Sequence, residues 1–374
     1  MAGLYLHIPF CKQACHYCDF HFSTNLRSKT DLVIAMVKEI EGQKQFFGTK
    51  HLNSIYFGGG TPSLLTVSEL GMLFDSFQKH FTWDHSCEIS LEANPDDIDK
   101  SKLKAWINFG INRLSIGLQS FNDAELQWMN RAHNAIESES AVKMSQDAGI
   151  ENISIDLIYG TKFQNLSNWE STLKKAIDLN CAHVSAYNLT IEGKTKLHHL
   201  LINGAEPEVD EHLSSKQFER LVERFAEAGL EQYEISNFAK AGKIAVHNSS
   251  YWFQKPYLGI GPSAHSYHEK LRQWNVKSNA LYIQQITKGE KHFEIENLSD
   301  KDLYNEFILT RLRTKWGVDE KDLLARFGED ALKHFKKGIA PYGNHLNYSS
   351  GVYQLNAAGK LLADKMASDL FLDE

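Results

Sequence analysis

Short apolar runs alternate with longer stretches of helical periodicity through the first two thirds of the chain. Leu4–Ile8, Ser54–Phe57, Glu88–Ala93, Arg113–Ile116, Ile153–Ile158 and His183–Tyr187 have the length of strands. Thr66 and Glu69 stand at capping-box spacing ahead of a helix through Met72–Phe77, and Ser167 with Glu170 repeats the spacing before Leu173–Leu179. Gly110, Gly149 and Gly229 each close a helical stretch, where a positive φ is commonly needed. Strand–helix alternation of this kind predicts an α/β fold with a parallel sheet covered by helices. Six strands fit a partial, open (βα)6 barrel better than an eightfold one, and a seventh strand is expected over Gln232–Ser236.

The rhythm changes near residue 290. Leu303–Leu312, Glu320–Phe327 and Asp330–Lys337 read as helices. Leu346–Tyr348 and Val352–Leu355 read as a hairpin around Ser350–Gly351, and a last helix is expected over Ala357–Leu370. The expected organisation is a barrel core over 1–240, a connecting segment over 241–290 and a small winged-helix-like α+β domain over 291–374. Such a wing often binds DNA. The net charge of -7, however, predicts no nucleic-acid partner and leaves a packing or partner-binding role.

No apolar run approaches the length of a membrane span, and the strand at Leu4–Ile8 leaves no room for a signal peptide. The expectation is a cytoplasmic protein with reduced thiols, in which clustered cysteines mean metal. Three of the five cysteines fall within eight residues, as Cys11-x3-Cys15-x2-Cys18, directly after the first strand. In a parallel barrel that loop lies on the C-terminal face, where active sites assemble. Soft thiolates suit an iron–sulfur cubane, which three cysteines would leave with one open iron. Zinc held by the same thiols with His16 or His21 is the alternative. Cys87 and Cys181 stand alone beside strands and read as core thiols. The second signal is Gly58-Gly59-Gly60-Thr61-Pro62 after the second strand. It lacks the lysine and hydroxyl of a phosphate-binding loop, but its glycines allow close approach of backbone to ligand.

The cysteine triad followed by Gly-Gly-Gly-Thr-Pro resembles the radical S-adenosylmethionine superfamily. Leu91–Asp97, Gly110–Ser120 and Asp156 extend the resemblance. More narrowly, the chain is similar to the anaerobic coproporphyrinogen III oxidase family and its haem-chaperone branch, from about residue 4 to the C-terminus. The resemblance implies that Cys11, Cys15 and Cys18 ligate a [4Fe–4S] cluster, and that Gly59, Gly60 and Thr61 hold the amino group of S-adenosylmethionine. It implies further contacts to that cofactor from Tyr5, Glu92, Gln119, Arg131 and Asp156. The family reaction is reductive cleavage of the sulfonium to a deoxyadenosyl radical.

Three features favour the chaperone branch over the oxidase. Only ten residues precede Cys11, where the oxidases have a longer region. Phe20 stands where the oxidases have a fourth cysteine. His247-Asn-Ser-Ser-Tyr251-Trp252 matches the branch's His-Asn-x-x-Tyr-Trp motif, which implies His247 as a ligand of haem iron. Pro262 and Ser263 depart from the small, glycine-rich residues of that branch. The expected function is a carrier that binds haem and delivers it to acceptor haemoproteins, respiratory and membrane-associated ones among them, with cluster- or haem-dependent homodimers. A working coproporphyrinogen III oxidase, or another radical enzyme of the superfamily, is the alternative.

Overall fold

The computed structural model describes residues 2–372. All six expected strands are present: β1 (Gly3–Ile8), β2 (Ser54–Gly59), β3 (Glu88–Ala93), β4 (Arg113–Gln119), β5 (Asn152–Tyr159) and β6 (His183–Asn188). They lie side by side in chain order and pair in parallel throughout. Their outward residues, such as Ile55, Phe57, Ile89, Leu91, Leu114 and Ile116, are fully or almost fully buried. They pack against the helices Lys29–Gln43, Val67–His80, Lys100–Asn108, Ala135–Asp147 and Leu166–Asp178, with Trp106 and Trp169 closed in completely. Burial of each such side chain contributes about 1.5–3 kcal/mol. The result is the partial α/β barrel expected from the pattern.

The helix starts show which local signals count. Thr66 and Glu69 form the anticipated capping box. The later helix begins two residues before Ser167 could cap it. Asn165 and Asn168 close the box there, because an asparagine side chain accepts from the N3 amide as a serine does. Gly110, Gly149 and Gly229 take φ of +85°, +96° and +75°, so each ends its helix in the left-handed region.

The segment 231–297 departs most from expectation. The strand anticipated at Gln232–Ser236 is a tight hairpin of β7 (Glu231–Glu234) and β8 (Asn237–Ala239), antiparallel beyond β6. The supposed connecting segment builds sheet: β9 (Tyr257–Ile260) pairs in parallel with the free edge of β1. β10 (His265–His268), β11 (Leu271–Asn275) and β12 (Phe293–Asn297) continue antiparallel, giving twelve strands in one sheet. Gly259 and Gly261 are needed here, since a Cβ would stand 2.0 Å from the carbonyl oxygen of His265 at the first and 2.6 Å from that of His7 at the second.

The C-terminal unit has its own core around Tyr304, Phe307, Phe335 and Met366. Helix Asp300–Leu312 packs with a long helix, Glu320–Ile339, which Gly328 (φ +84°) breaks where the sequence divides it. β13 (Val318–Asp319), β14 (Leu346–Ser349) and β15 (Val352–Leu355) form the wing. The final helix is two short ones, Ala357–Lys360 and Ala363–Asp369, rather than one.

Candidate functional site

Alternate residues of a strand face opposite sides, so the barrel's inward set can be read from its register. Inward positions are Tyr5 and His7 on β1, Ser54, Tyr56 and Gly58 on β2, and Glu88, Ser90 and Glu92 on β3. Arg113, Ser115 and Gly117 follow on β4, then Ser154 and Asp156 on β5, and His183 and Ser185 on β6. A closed barrel fills this space with branched aliphatics. Here it is polar and rich in Ser and Gly, which leaves room for a polar ligand.

The cysteine loop crosses the C-terminal end of that lumen. The Cys11 amide donates to the carbonyl of Ser23 and the Ser23 amide to that of Pro9, pinning both ends of the loop. His16 holds its middle, with the amide donating to Met129 O (3.1 Å) and Nδ1 to Trp128 O (2.7 Å). Cys11, Cys15 and Cys18 are all half-buried and free. Burial pushes the Cys18 thiol up to about 12, with Cys15 adding to the rise, and also raises Cys11. Such thiols ionise when a cation supplies its field. His16 and His21, the histidines that could complete a zinc site, each have a ring nitrogen engaged, by Trp128 O at 2.7 Å and Asn279 at 2.8 Å. A cubane carries its irons at separate corners and takes thiolates that stand further apart. The donor set fits the cluster.

Beside the loop, the anticipated cofactor residues converge. Gly59 takes φ +107°, and a Cβ on Gly60 would stand 2.8–2.9 Å from backbone atoms of Ile8 and Phe10. The glycine run is therefore what lets the cysteine loop lie on β2. Buried Thr61 accepts from the side chain of Asn94 at 3.4 Å. Glu92 accepts from Tyr56 Oη at 2.8 Å and the Gly59 amide at 3.1 Å. Asp156 has only long bonds of 3.4 Å from Ser115. Burial raises Glu92 to about 7 and Asp156 to about 6, although the hydrogen bond from Tyr56 opposes the first shift and the charge of Arg113 the second. These carboxylates are short of partners, as expected where ligand hydroxyls and N–H groups are to be received.

Arg131 donates from Nη2 to Asn94 Oδ1 (2.7 Å) and Gly117 O (2.8 Å), and from Nη1 toward Cys15 Sγ (3.4 Å). Its buried Nε has no partner among the described residues. Gln119 has φ +66° and sits on a bulge that slips the β4–β5 register. A bulge re-aims a side chain, and positive φ at a non-glycine residue often marks a working site.

His247 is not brought to this group. It lies at the opposite, N-terminal end of the barrel, 1% exposed. Its Nδ1 pairs with Ser54 Oγ at 2.8 Å and its Nε2 with Tyr251 Oη at 2.9 Å. Its ring stacks on Tyr56, with centroids 5.0 Å apart, and its amide donates to Glu88. Burial lowers its pKa to about 3, with Arg113 assisting. Both ring nitrogens are hydrogen-bonded. Sequence reading also missed Tyr56, Asn94 and Ser115, which support the carboxylates and Arg131. The polar–apolar alternation within each strand was the signal that could have found them.

Residues 5–176 match the radical SAM superfamily and residues 298–346 match the HemN C-terminal domain. The chain is 33% identical to the heme chaperone HemW of Bacillus subtilis (strain 168), across 98% of each chain. It is 32% identical to the heme chaperone HemW of Haemophilus influenzae (strain Rd), covering 100% of this chain and 98% of that one. Its fold matches that of the coproporphyrinogen III oxidase HemN of Escherichia coli with a TM-score of 0.85 at 22% identity, covering 99% of this chain and 90% of that one. With the thiol triad, the glycine run and the polar lumen in one place, and a relative at this identity from end to end, the chain belongs to the radical SAM superfamily, in the family of the heme chaperone HemW.

Proposed function

We propose that this protein is a haem carrier that binds haem and passes it to acceptor haemoproteins, on a scaffold that also holds a [4Fe–4S] cluster and S-adenosylmethionine. One observation carries the choice. The likeness to chains named as heme chaperones runs the full length of the molecule, whereas the likeness to the oxidase is one of fold. Phe20 supports it, since it stands 67% exposed beside Cys18 as an apolar wall rather than a further thiol.

In this reading Cys11, Cys15 and Cys18 ligate three irons. Gly59, Gly60, Thr61, Tyr5, Glu92, Gln119, Arg131 and Asp156 seat the cofactor against the fourth. When bound, the cluster supplies one electron and an open coordination site. The chain supplies orientation: the guanidinium of Arg131 meets a carboxylate, and the carboxylates of Glu92 and Asp156 receive ribose hydroxyls. No helix of the described residues is long and apolar enough to cross a membrane. A carrier working in the cytoplasm, where its thiols stay reduced, is consistent with that.

The test is anaerobic incubation of cluster-reconstituted protein with S-adenosylmethionine, a reductant and coproporphyrinogen III, with absorbance and EPR confirming the cluster in the same sample. No protoporphyrinogen, together with uptake of added hemin, is the expected result. Catalytic formation of protoporphyrinogen would make the protein an oxidase.

A further inference from the structure

A cavity of about 690 Å³ opens from the lumen, where Tyr5 and His7 line it, between the Cys18–Phe22 stretch and the β9–β11 extension of the sheet. Its volume falls within the ~300–1,000 Å³ of cofactor sites. Exposed Phe20 stands on one wall, and Tyr251 and Tyr257, packed edge to face 4.7 Å apart, on another. Lys194 and Lys277 also line it, opposed by the single carboxylate of Asp19. Both lysines are exposed, and neither has an ion pair among the described residues. A cleft with aromatic walls and two lysines without ion pairs at its edge suits a flat aromatic molecule bearing two carboxylates.

Three histidines line the cleft, and their bonding separates them. His7 has both nitrogens engaged: Tyr5 Oη donates to Nδ1 (3.1 Å), and Nε2 donates to the carbonyl of His21 (2.9 Å). His21 commits Nε2 to Asn279 at 2.8 Å. His265, the first residue of β10, makes no side-chain hydrogen bond among the described residues. Its exposed ring is held by a stack on Trp274, with centroids 6.2 Å apart and planes 29° from parallel. Gly261 (φ +103°) and Ser263 (φ +66°) shape the turn that presents it, which gives the sequence's departure at Pro262-Ser263 a structural setting.

Resting on the haem-carrier reading, we propose that this cleft is the haem seat, with His265 rather than His247 as the protein ligand to the iron and Lys194 and Lys277 pairing with the propionates. Phe20 and Tyr257 pack against the macrocycle. Because Phe20 lies two residues from Cys18, the cluster loop forms one wall of the seat.

The experiment is hemin titration into full-length, cluster-reconstituted protein, followed by the Soret band and low-temperature EPR. Iron-free protoporphyrin IX and hemin dimethyl ester serve as companion probes. His265→Ala should weaken hemin binding at least tenfold and lose the histidine-ligated signature, with cluster iron content unchanged. His265→Met, which keeps a ligand, should recover binding with an altered spectrum. Protoporphyrin IX should not distinguish wild type from His265→Ala. The dimethyl ester should bind wild type about as weakly as hemin binds Lys194→Glu/Lys277→Glu. A His265→Ala protein with wild-type affinity and spectrum would overturn the site. So would loss of hemin in a folded His247→Gln chain while His265→Ala keeps it. Wild-type protein that takes up no hemin would remove the carrier reading itself, and the seat with it.

Discussion

At the scale of single residues, the lumen carboxylates decide how the site responds to pH. Burial holds Glu92 near 7 and Asp156 near 6, against an unfolded carboxylate of about 4. For a raised acid, stability is fully present below the unfolded pKa and is lost as pH rises through the folded one. The ligand-free lumen therefore becomes costlier between about pH 4 and pH 7. A cofactor whose hydroxyls donate to ionised Glu92 offsets that cost, so its affinity should climb between pH 6 and 8, by up to tenfold per unit below the pKa. Glu92→Gln should remove the part of the dependence centred near 7 and leave a weaker one near 6 from Asp156. Equilibrium dialysis of S-adenosylmethionine under argon measures this, and equal slopes in the two proteins would take Glu92 out of the account. The three cysteines and the glycine run were readable from spacing because their chemistry is local. The hydrogen bonding of His247 was not, because Ser54 and Tyr251 take its two ring nitrogens and Ser54 lies 193 residues away.

At the scale of elements, β1, β2 and the cysteine loop form one unit. The Gly60 amide donates to Ile8 O at 2.9 Å, and its missing side chain is what brings Phe10 into contact. Gly60→Ala must push the loop off β2. The expected outcome is a folded barrel that reconstitutes less than half the wild-type cluster iron, by iron and sulfide analysis on protein matched by circular dichroism. Full cluster content would show that the loop tolerates the shift. The β1–β6 strands were legible because each outward face is a run of Ile, Leu, Val and Phe. The extension β9–β12 was not, since Tyr257–Ile260 is short and β12 is mostly exposed and carries two glutamates. Such strands are specified by the edge they join, not by their own composition.

At the scale of the whole molecule, two apolar cores meet at the β7–β8 hairpin, where Ile235 packs against both. Arg313 fastens that junction. It pairs with buried Glu234 at 3.2 Å and with Asp364 at 2.6 Å, and its guanidinium lies 5.9 Å from the centroid of Trp252. Arg311 lies over Phe253 at 4.7 Å, so the C-terminal unit grips the end of the helix Val246–Trp252 that carries His247. The barrel floor is thus held from outside by a unit that contributes nothing to the lumen. Arg313→Ala strands the Glu234 carboxylate, which keeps only Ser236 and Asn237 as donors. The cost should be about 1.5–3 kcal/mol, the range for hydrogen bonds to a charged group. Because the lost contacts lie at the junction, the loss should appear as uncoupling. A calorimetric endotherm that is single in wild type should split, with the C-terminal unit melting first and the cluster absorbance surviving that first step. Cluster loss coincident with the first transition would mean instead that the C-terminal unit is needed to hold the cysteine end of the barrel as well as its floor.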